Sequence, residues 1–173
     1  MKKQPPYLYV NFQSTVKQTS FEKSQLKLWL SMASEVVRYL IKKKIIATAN
    51  ISEIHVSLLL CGNDRIKNLN NEFRRIDKVT DVLSFPAHED MRKKKYSEKI
   101  LFLGDLAICH PQTKKQAKQF EVTYFDEFIH LFFHGMIHLM GYDHEISIKE
   151  EKLMQRWEDL AITKFSQIKT KTS

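Results

Sequence analysis

The stretch HGMIHLMGYDH occupies residues 134–144 and contains three of the seven histidines in the chain. On a helix, residues four apart lie on one face, so His134 and His138 can bind one ion together. Gly141 can adopt the left-handed conformation that ends a helix, after which the chain can turn back and bring His144 to the same ion. Three neutral imidazoles suit Zn²⁺ and leave a fourth position open for water, which is typical of catalytic sites. We therefore predict one zinc ion per chain, bound by these three histidines.

The same histidine spacing occurs in a class of zinc peptidases, but the residue after the first histidine differs. Those enzymes have a glutamate there that takes a proton from the metal-bound water, whereas this chain has Gly135. Glycine is neither an acid nor a base, and peptide hydrolysis needs protonation of a poor leaving group. Cleavage of a phosphodiester depends more on charge neutralisation and positioning. The missing glutamate therefore favours a nucleic-acid substrate.

The composition is that of a globular protein with a basic surface. The chain has 173 residues, of which 43% are hydrophobic and 28% charged, and its formal net charge is +8. This length suits one domain, which we expect to span residues 1–173. The positive charge favours polyanions as partners, nucleic acid first and an anionic membrane second.

Two further features predict a cytoplasmic protein. No apolar run is long enough for a membrane helix, and none follows the basic N-terminus as a signal peptide requires. Cys61 and Cys109 lie in apolar stretches, so we expect buried free thiols rather than a disulfide or a metal pair. We expect no membrane partner.

Hydrophobic patterning alternates between strand and helix along the chain. We expect strands at 7–12, 53–60, 81–85 and 101–109. We expect helices at 21–43, 63–73, 111–120, 123–140 and 148–165. Thr123 with Asp126, and Ser147 with Glu150, are predicted capping pairs. The tail 166–173 is expected to fray. The prediction is an α+β fold, a single domain with a mixed sheet of about four strands flanked by helices.

Several polar residues have structural explanations. His55 alternates with apolar neighbours and is expected on the polar face of a strand. His130 lies one turn before the first ligand and is expected beside the ligands or in the core. Asp81 and Asp105 occupy apolar strands and are expected to be buried and hydrogen-bonded. Asp143 adjoins a ligand, and we expect it to orient an imidazole.

Three blocks of this sequence resemble the YbeY-type rRNA maturation endoribonucleases. Residues 134–144 closely resemble the signature of that family, LNNEFRRIDKVTDVLSF at 69–85 is similar to its second block, and LGDLAI at 103–108 to its third. The resemblance implies a mixed sheet flanked by helices with a zincin-like metal site. It implies a metal-dependent endoribonuclease of rRNA processing, acting especially at the 3′ end of 16S rRNA of the small ribosomal subunit, and in ribosome quality control. No DNA substrate is expected.

The resemblance also implies residue roles. The zinc ligands of the family correspond to His134, His138 and His144, and its arginine corresponds to Arg74. His134 and Arg74 are then the expected catalytic residues, and Arg74 is the expected substrate-binding residue. Without the resemblance, Arg74 is more readily explained as a solvated arginine at a helix C-terminus. The sequence departs from the family pattern at Val79, where proline is usual.

Two other functions stay open at this point. A metallopeptidase-like hydrolase needs a substitute base, for which Glu145 is the nearby candidate. A non-catalytic ribosome- or RNA-binding protein with a structural zinc needs a fourth protein ligand, such as Asp143, Glu145 or a cysteine. The basic insert at 92–95 lies outside the family pattern, and it either helps to hold RNA or is a solvated loop.

Overall fold

Four strands and five helices make up the described part of the chain. The computed structural model describes residues 6–17, 20–47, 51–89, 91–93, 95–96 and 98–172. The strands are β1 (Tyr7–Ser14), β2 (Glu53–Cys61), β3 (Val82–Pro86) and β4 (Ile100–Cys109). The helices are α1 (Ser20–Lys42), α2 (Asn63–Arg74), α3 (His110–Gln119), α4 (Tyr124–Leu139) and α5 (Ile148–Thr172). In the described ranges, no helix is both long and apolar enough to cross a membrane.

The sheet is mixed, as predicted. Its strand order is β1-β2-β4-β3, in which β1, β2 and β4 run parallel and β3 runs antiparallel to β4. The predicted α+β fold with a four-stranded mixed sheet flanked by helices is therefore confirmed. β1 and β3 form the two edges of the sheet.

The two faces of the sheet are covered differently. Helices α1, α4 and α5 pack on one face, where their apolar side chains join those of the strands in the main core. Helix α2 packs on the other face near the carboxyl ends of β2 and β4, where Cys61 and Cys109 belong to a smaller apolar cluster. Both cysteines are buried and free, as predicted.

The C-terminal helix is longer than predicted. Helix α5 continues to Thr172, so the expectation of a frayed tail is wrong. Ile168 is buried in the main core, and Nζ of Lys169 lies 2.7 Å from Oδ1 of Asp126 on α4. The same ammonium group lies 4.6 Å from the ring centroid of Trp29 on α1. The last turns are therefore held by contacts with two distant helices.

Candidate metal centre

The three histidines of the 134–144 stretch converge at the C-terminal end of α4. One ring nitrogen of each histidine can be chosen so that the three atoms lie within 4.8 Å of one another. Nε2 of His134 lies 3.2 Å from Nε2 of His138. The ring centroid of His144 lies 5.4 Å from that of His134 and 5.1 Å from that of His138. The structure thus brings together the three residues that the sequence predicted as metal ligands.

Local capping explains where α4 begins and where the chain turns back. Oγ1 of Thr123 accepts a hydrogen bond from the backbone N–H of Asp126 at 3.1 Å, as predicted. At the other end, Gly141 has a φ of 86°, a conformation that glycine adopts readily. The backbone N–H of Tyr142 donates to a carbonyl in the last turn of the helix. The chain therefore reverses after Gly141 and returns His144 to the helix end.

The loop that contains His144 is anchored by Tyr142. Its hydroxyl donates a hydrogen bond to the carbonyl of Ile45 at 2.7 Å. The guanidinium of Arg92 lies 4.6 Å from the centroid of the Tyr142 ring. Arg92 also forms an ion pair with Glu150, with 2.7 Å between Nη1 and Oε2. These contacts tie the loop to the core and to the first turn of α5.

The basic insert at 92–95 is therefore partly engaged in structure. Lys94 lies outside the described residues, while Arg92 contacts the Tyr142 ring of the His144 loop and pairs with Glu150 on α5. The backbone N–H of Glu150 donates to Oγ of Ser147 at 3.2 Å, which confirms the predicted capping pair. The carboxylate of Glu150 contacts Arg92 and not the start of its own helix, so the reciprocal half of a capping box is replaced by a long-range ion pair.

Glu158 on α5 is a residue of the site that sequence reasoning missed. Its Oε1 lies 2.8 Å from Nδ1 of His134, and the residue is only 9% exposed. Burial raises the pKa of Glu158, but the hydrogen bond from His134 and the nearby histidine charges outweigh burial and hold the pKa below its usual value. A carboxylate at Nδ1 keeps the proton on that nitrogen and leaves Nε2 free for a metal. The sequence feature that could have identified Glu158 is its place on the apolar face of α5, between Met154 and Ala161.

His130 and Asp143 both lie near the histidine cluster. His130 is exposed, so of its two expected places, beside the ligands or in the core, the core is wrong. It lies near enough for its charge to help lower the pKa of Glu158, after the larger effect of the hydrogen bond from the first ligand. Oδ1 of Asp143 accepts a hydrogen bond from the backbone N–H of Glu145 at 2.9 Å, so this carboxylate shapes the loop.

The surroundings of His138 favour its neutral imidazole. Burial, together with the neighbouring His134 and His144, lowers the pKa of His138 from 6.5 to about 4. His138 is therefore neutral at neutral pH, and the neutral imidazole is the form that binds metal ions.

Close packing explains why residue 135 is glycine. A Cβ at this position would lie 2.7 Å from Cδ2 of Leu106 and 3.2 Å from Oγ of Ser84. Leu106 is buried at 1% exposure in a close-packed core, so it has little room to move. Helix α4 therefore lies too close to β3 and β4 for a glutamate at Gly135, and packing closes the position where the peptidases have their base.

Arg74 lines the same cleft as the three histidines. The cleft has a volume of about 730 Å³. Nη2 of Arg74 lies 3.2 Å from Oε1 and 3.3 Å from Oε2 of Glu145, the residue that follows the third histidine. Helix α2 ends at Arg74 because Arg75 adopts the left-handed conformation, with a φ of 59°. The Arg74 side chain is 47% exposed and faces the open cleft.

The carboxylates of Asp81, which directly precedes β3, and of Asp105 in β4 have different environments. Asp81 is half-buried and accepts hydrogen bonds from Nε2 of Gln116 at 2.7 Å and from the backbone N–H of Val82 at 2.8 Å. Burial raises the pKa of Asp81, but these hydrogen bonds outweigh burial and keep the pKa below its usual value. Asp105 is exposed, so its predicted burial is wrong. It lies on the face opposite the main core, beyond the apolar cluster under α2.

A three-histidine cluster on a helix and its following loop, open to a cleft, is the arrangement of metal-dependent hydrolases. The α+β fold and this site thus define a candidate member of that class. A family model described as endoribonuclease YbeY matches residues 13–166. Because the match covers most of the chain, the chain belongs to the endoribonuclease YbeY family, as the three sequence blocks predicted.

Individual relatives are similar over much of their length. An endoribonuclease YbeY of Persephonella marina is 42% identical over 117 residues, which cover 68% of this chain and 74% of the relative. Another, from a Sulfurihydrogenibium species, is 37% identical over 126 residues, covering 73% of this chain and 80% of the relative. A Thermotoga maritima protein with a solution structure is 26% identical with a TM-score of 0.58, covering 95% of this chain and 93% of that protein.

Proposed function

We propose that this protein is a metal-dependent endoribonuclease that cleaves RNA during ribosomal RNA processing. The observation that supports this most directly is the convergence of three histidines and Arg74 in one cleft, in a chain of the endoribonuclease YbeY family. The proposed substrate is small-subunit rRNA near the 3′ end of its 16S species. The proposed compartment is the cytoplasm, where buried free thiols such as Cys61 and Cys109 persist. We propose that residues 1–173 work as one endoribonuclease domain.

The three histidines fit a single Zn²⁺ ion. Two nitrogens at about 2.0–2.1 Å from a tetrahedral ion lie about 3.3 Å apart, and Nε2 of His134 and Nε2 of His138 are 3.2 Å apart. We assign one Zn²⁺ per chain to His134, His138 and His144. When bound, the ion supplies positive charge and Lewis acidity for phosphodiester cleavage. In the described part of the chain, no fourth histidine, cysteine or carboxylate joins this group, which favours a catalytic site over a structural one.

Arg74 is the proposed phosphate-binding and catalytic residue. Both carboxylate oxygens of Glu145 face its guanidinium, at 3.2 and 3.3 Å from Nη2. Phosphate oxygens have the same charge and accept the same hydrogen bonds, and arginine binds them in a planar fork. We infer that a substrate phosphate displaces Glu145 from Arg74. Arg74 then stabilises the negative charge that develops in the transition state.

His134 is the second proposed catalytic residue, and Glu158 is its positioning residue. The hydrogen bond between Nδ1 of His134 and Glu158 fixes both the tautomer and the ring orientation. Nε2 of His134 is thereby directed towards Nε2 of His138. We expect this carboxylate contact to hold the two helix ligands ready for the ion before any substrate binds.

Two observations weigh against the other functions. A metallopeptidase-like hydrolase needs a base near the ion, yet the position of Gly135 is closed by packing and Glu145 is paired with Arg74. A structural zinc needs a fourth protein ligand, but Cys61 and Cys109 lie in the apolar cluster on the opposite face of the sheet. Neither function explains an arginine in the cleft.

The direct test is cleavage of RNA by the purified protein, with and without a chelator. The substrates are a small-subunit rRNA precursor with its 3′ flank, an unrelated structured RNA, and an unstructured RNA of equal length. We expect cleavage to stop with the chelator, to return with added Zn²⁺, and to be fastest on the precursor. Cleavage that persists in the chelator contradicts the metal-dependent assignment, and equal rates on all RNAs contradict the substrate assignment.

His138→Ala is the matched control for the metal. It should lose bound zinc and cleavage but stay folded, because the main core does not depend on the ion. Zinc content and thermal unfolding are measured on the same sample. A variant that is unfolded at room temperature would show that the ion is structural.

A further inference from the structure

The open part of the sheet presents a row of aromatic side chains. Tyr9 on β1, His55 on β2 and Phe102 on β4 are direct register partners on adjacent strands. Tyr9 is 50% exposed, Phe102 is 41% exposed, and the His55 side chain is 39% exposed, as expected for a residue on a polar face. The rings of Tyr9 and His55 have centroids 5.0 Å apart. We call these three residues the aromatic row; it lies on the face opposite α1, α4 and α5.

Two overlapping grooves extend from the aromatic row towards the edge strand β3, which separates them from the metal cleft. A groove of about 370 Å³ is lined by the aromatic row together with Asn11 and Ser57. A second groove of about 400 Å³ shares Asn11 and Ser57 and extends to Phe73 and Phe85. Phe73 directly precedes Arg74, and β3, which contains Phe85, also forms a wall of the metal cleft. A strand of RNA that leaves the cleft past Arg74 therefore has a path over the edge strand β3 to the aromatic row.

We propose that the aromatic row is a second binding site for single-stranded RNA, where unpaired bases beside the cleaved segment stack on Tyr9, His55 and Phe102. Aromatic rings on an open sheet bind single strands in this way, because every base has a π-face and only unpaired bases can expose it. The next row offers the amide of Asn11 and the hydroxyl of Ser57 to base edges. The identification of the ligand as RNA rests on the proposed function.

Local charges favour stacking over phosphate contact at the aromatic row. Oε2 of Glu53 lies 2.8 Å from Nε2 of His55, and Asp105 is in register with Ser57 in the neighbouring row. These carboxylates repel phosphates, whereas Arg65 lines the second groove and attracts them. The RNA backbone should therefore follow the Arg65 side while the bases face the rings. A second copy of this chain is a poorer occupant, because each copy has a formal net charge of +8.

RNA binding is measured in the His138→Ala variant, which is expected not to cleave RNA. A loss of binding at the aromatic row is then distinguished from a loss of cleavage. Fluorescence anisotropy compares a short unstructured RNA that fits the metal cleft with a longer one that reaches the aromatic row. Tyr9→Leu with Phe102→Leu removes the rings but keeps apolar bulk. Phe120→Leu is the matched control, because Phe120 is 56% exposed and lies at the end of α3, outside both grooves.

The double leucine variant should lose about tenfold or more in affinity for the longer RNA, since each stacked base contributes measurably. The short RNA should bind the variant as before, and the slope of log affinity against log salt should not change, because no phosphate contact is lost. Phe120→Leu should stay within about twofold of the parent protein. Ultraviolet crosslinking of the longer RNA should modify Tyr9 or Phe102.

Unchanged affinity of the double variant for the longer RNA overturns the proposal. An equal loss for the short and the longer RNA overturns it as well, because the effect would then act through the metal cleft. If the double variant keeps its RNA affinity but no longer self-associates in sedimentation experiments, the aromatic row is an interface between copies of this chain and the proposal is overturned. Tyr9→Trp enlarges the stacking surface and should strengthen binding of the longer RNA. This variant also provides a test if the double variant fails to fold. A folded Tyr9→Trp protein that binds the longer RNA no more tightly than the parent protein counts against stacking.

Discussion

The two walls of the metal cleft are built in different ways. On the helix wall, His134 and His138 belong to α4, which packs closely on Leu106 through Gly135. On the loop wall, His144 lies on a loop anchored by the buried Tyr142, and Arg74 ends α2 and pairs with the exposed Glu145. Close-packed contacts resist change, whereas exposed ion pairs are weak and exchangeable. Two ligands are therefore placed by the core and the third by a loop anchored to the core, while the phosphate-binding cation is placed by an ion pair that a substrate can replace.

The largest effect is expected from breaking the helix wall at Gly135. Gly135→Glu adds a side chain where a Cβ alone meets Leu106 at 2.7 Å, and it buries a carboxylate in a gap lined by Leu106, Val82 and Ser84. Overpacking and an unpaired buried charge together should cost about 4 kcal/mol or more of unfolding free energy. Chemical denaturation measures this loss. Gly135→Ala, the graded control, should cost about 1–2 kcal/mol. A stable Gly135→Glu protein with peptidase activity would contradict the packing argument.

The loop wall should respond in turnover and not in folding. Arg74→Ala should lose on the order of 10²–10³ in cleavage rate, the usual cost of removing a preorganised charge-stabilising donor. Zinc content and unfolding temperature should stay unchanged, because the exposed Arg74 side chain contributes little to packing. Arg74→Lys should recover only part of the rate, since it restores the charge but not the planar fork. Full activity in Arg74→Ala discards the role, and a loss confined to RNA binding makes Arg74 an ordinary phosphate anchor.

Glu158 tests whether the helix wall also depends on a hydrogen bond. Glu158→Ala should weaken zinc affinity by roughly 10–100-fold, because the imidazole of His134 loses the acceptor that fixes its tautomer. Competition with a chromogenic chelator measures the affinity, and nitrogen NMR of His134 reports the tautomer. Asp159→Ala is the control, since it removes an exposed carboxylate from the same helix. Equal zinc affinities for the two variants would show that packing alone orients His134.

The smallest effect is expected from loosening the loop wall at Arg92. Arg92→Ala removes the ion pair to Glu150 and the contact with the Tyr142 ring. Partly exposed pairs of these kinds contribute up to about 1 kcal/mol each, so zinc affinity should fall by about 30-fold or less. Lys95→Ala removes the same charge from the same insert and should leave zinc affinity unchanged. A different result would be that both variants bind RNA more weakly, with a flatter dependence of log affinity on log salt, and bind zinc as tightly as the parent protein. The insert then holds RNA and does not support the loop.

Local sequence rules were sufficient to predict the strands and helices and the spacing of the three histidine ligands. In the described ranges, every predicted strand and helix is present in the predicted order, and α4 begins at the Thr123 cap. Gly141 ends the turn as expected, so the return of His144 was already visible in the sequence. These features depend on residues a few positions apart, where backbone geometry limits the possible arrangements.

The tertiary structure alone decided which residues support the ligands. Glu158 lies 24 residues from His134 along the chain, and Arg92 lies 58 residues from Glu150. The exposure of His130 and Asp105 and the helical tail after residue 165 likewise escaped the sequence pattern. Periodicity shows that a helix or strand has an apolar face, but it does not show which other element covers that face or how much of it. Burial, and the partner that each buried polar group must find, follow from that packing and so appear only in the folded chain.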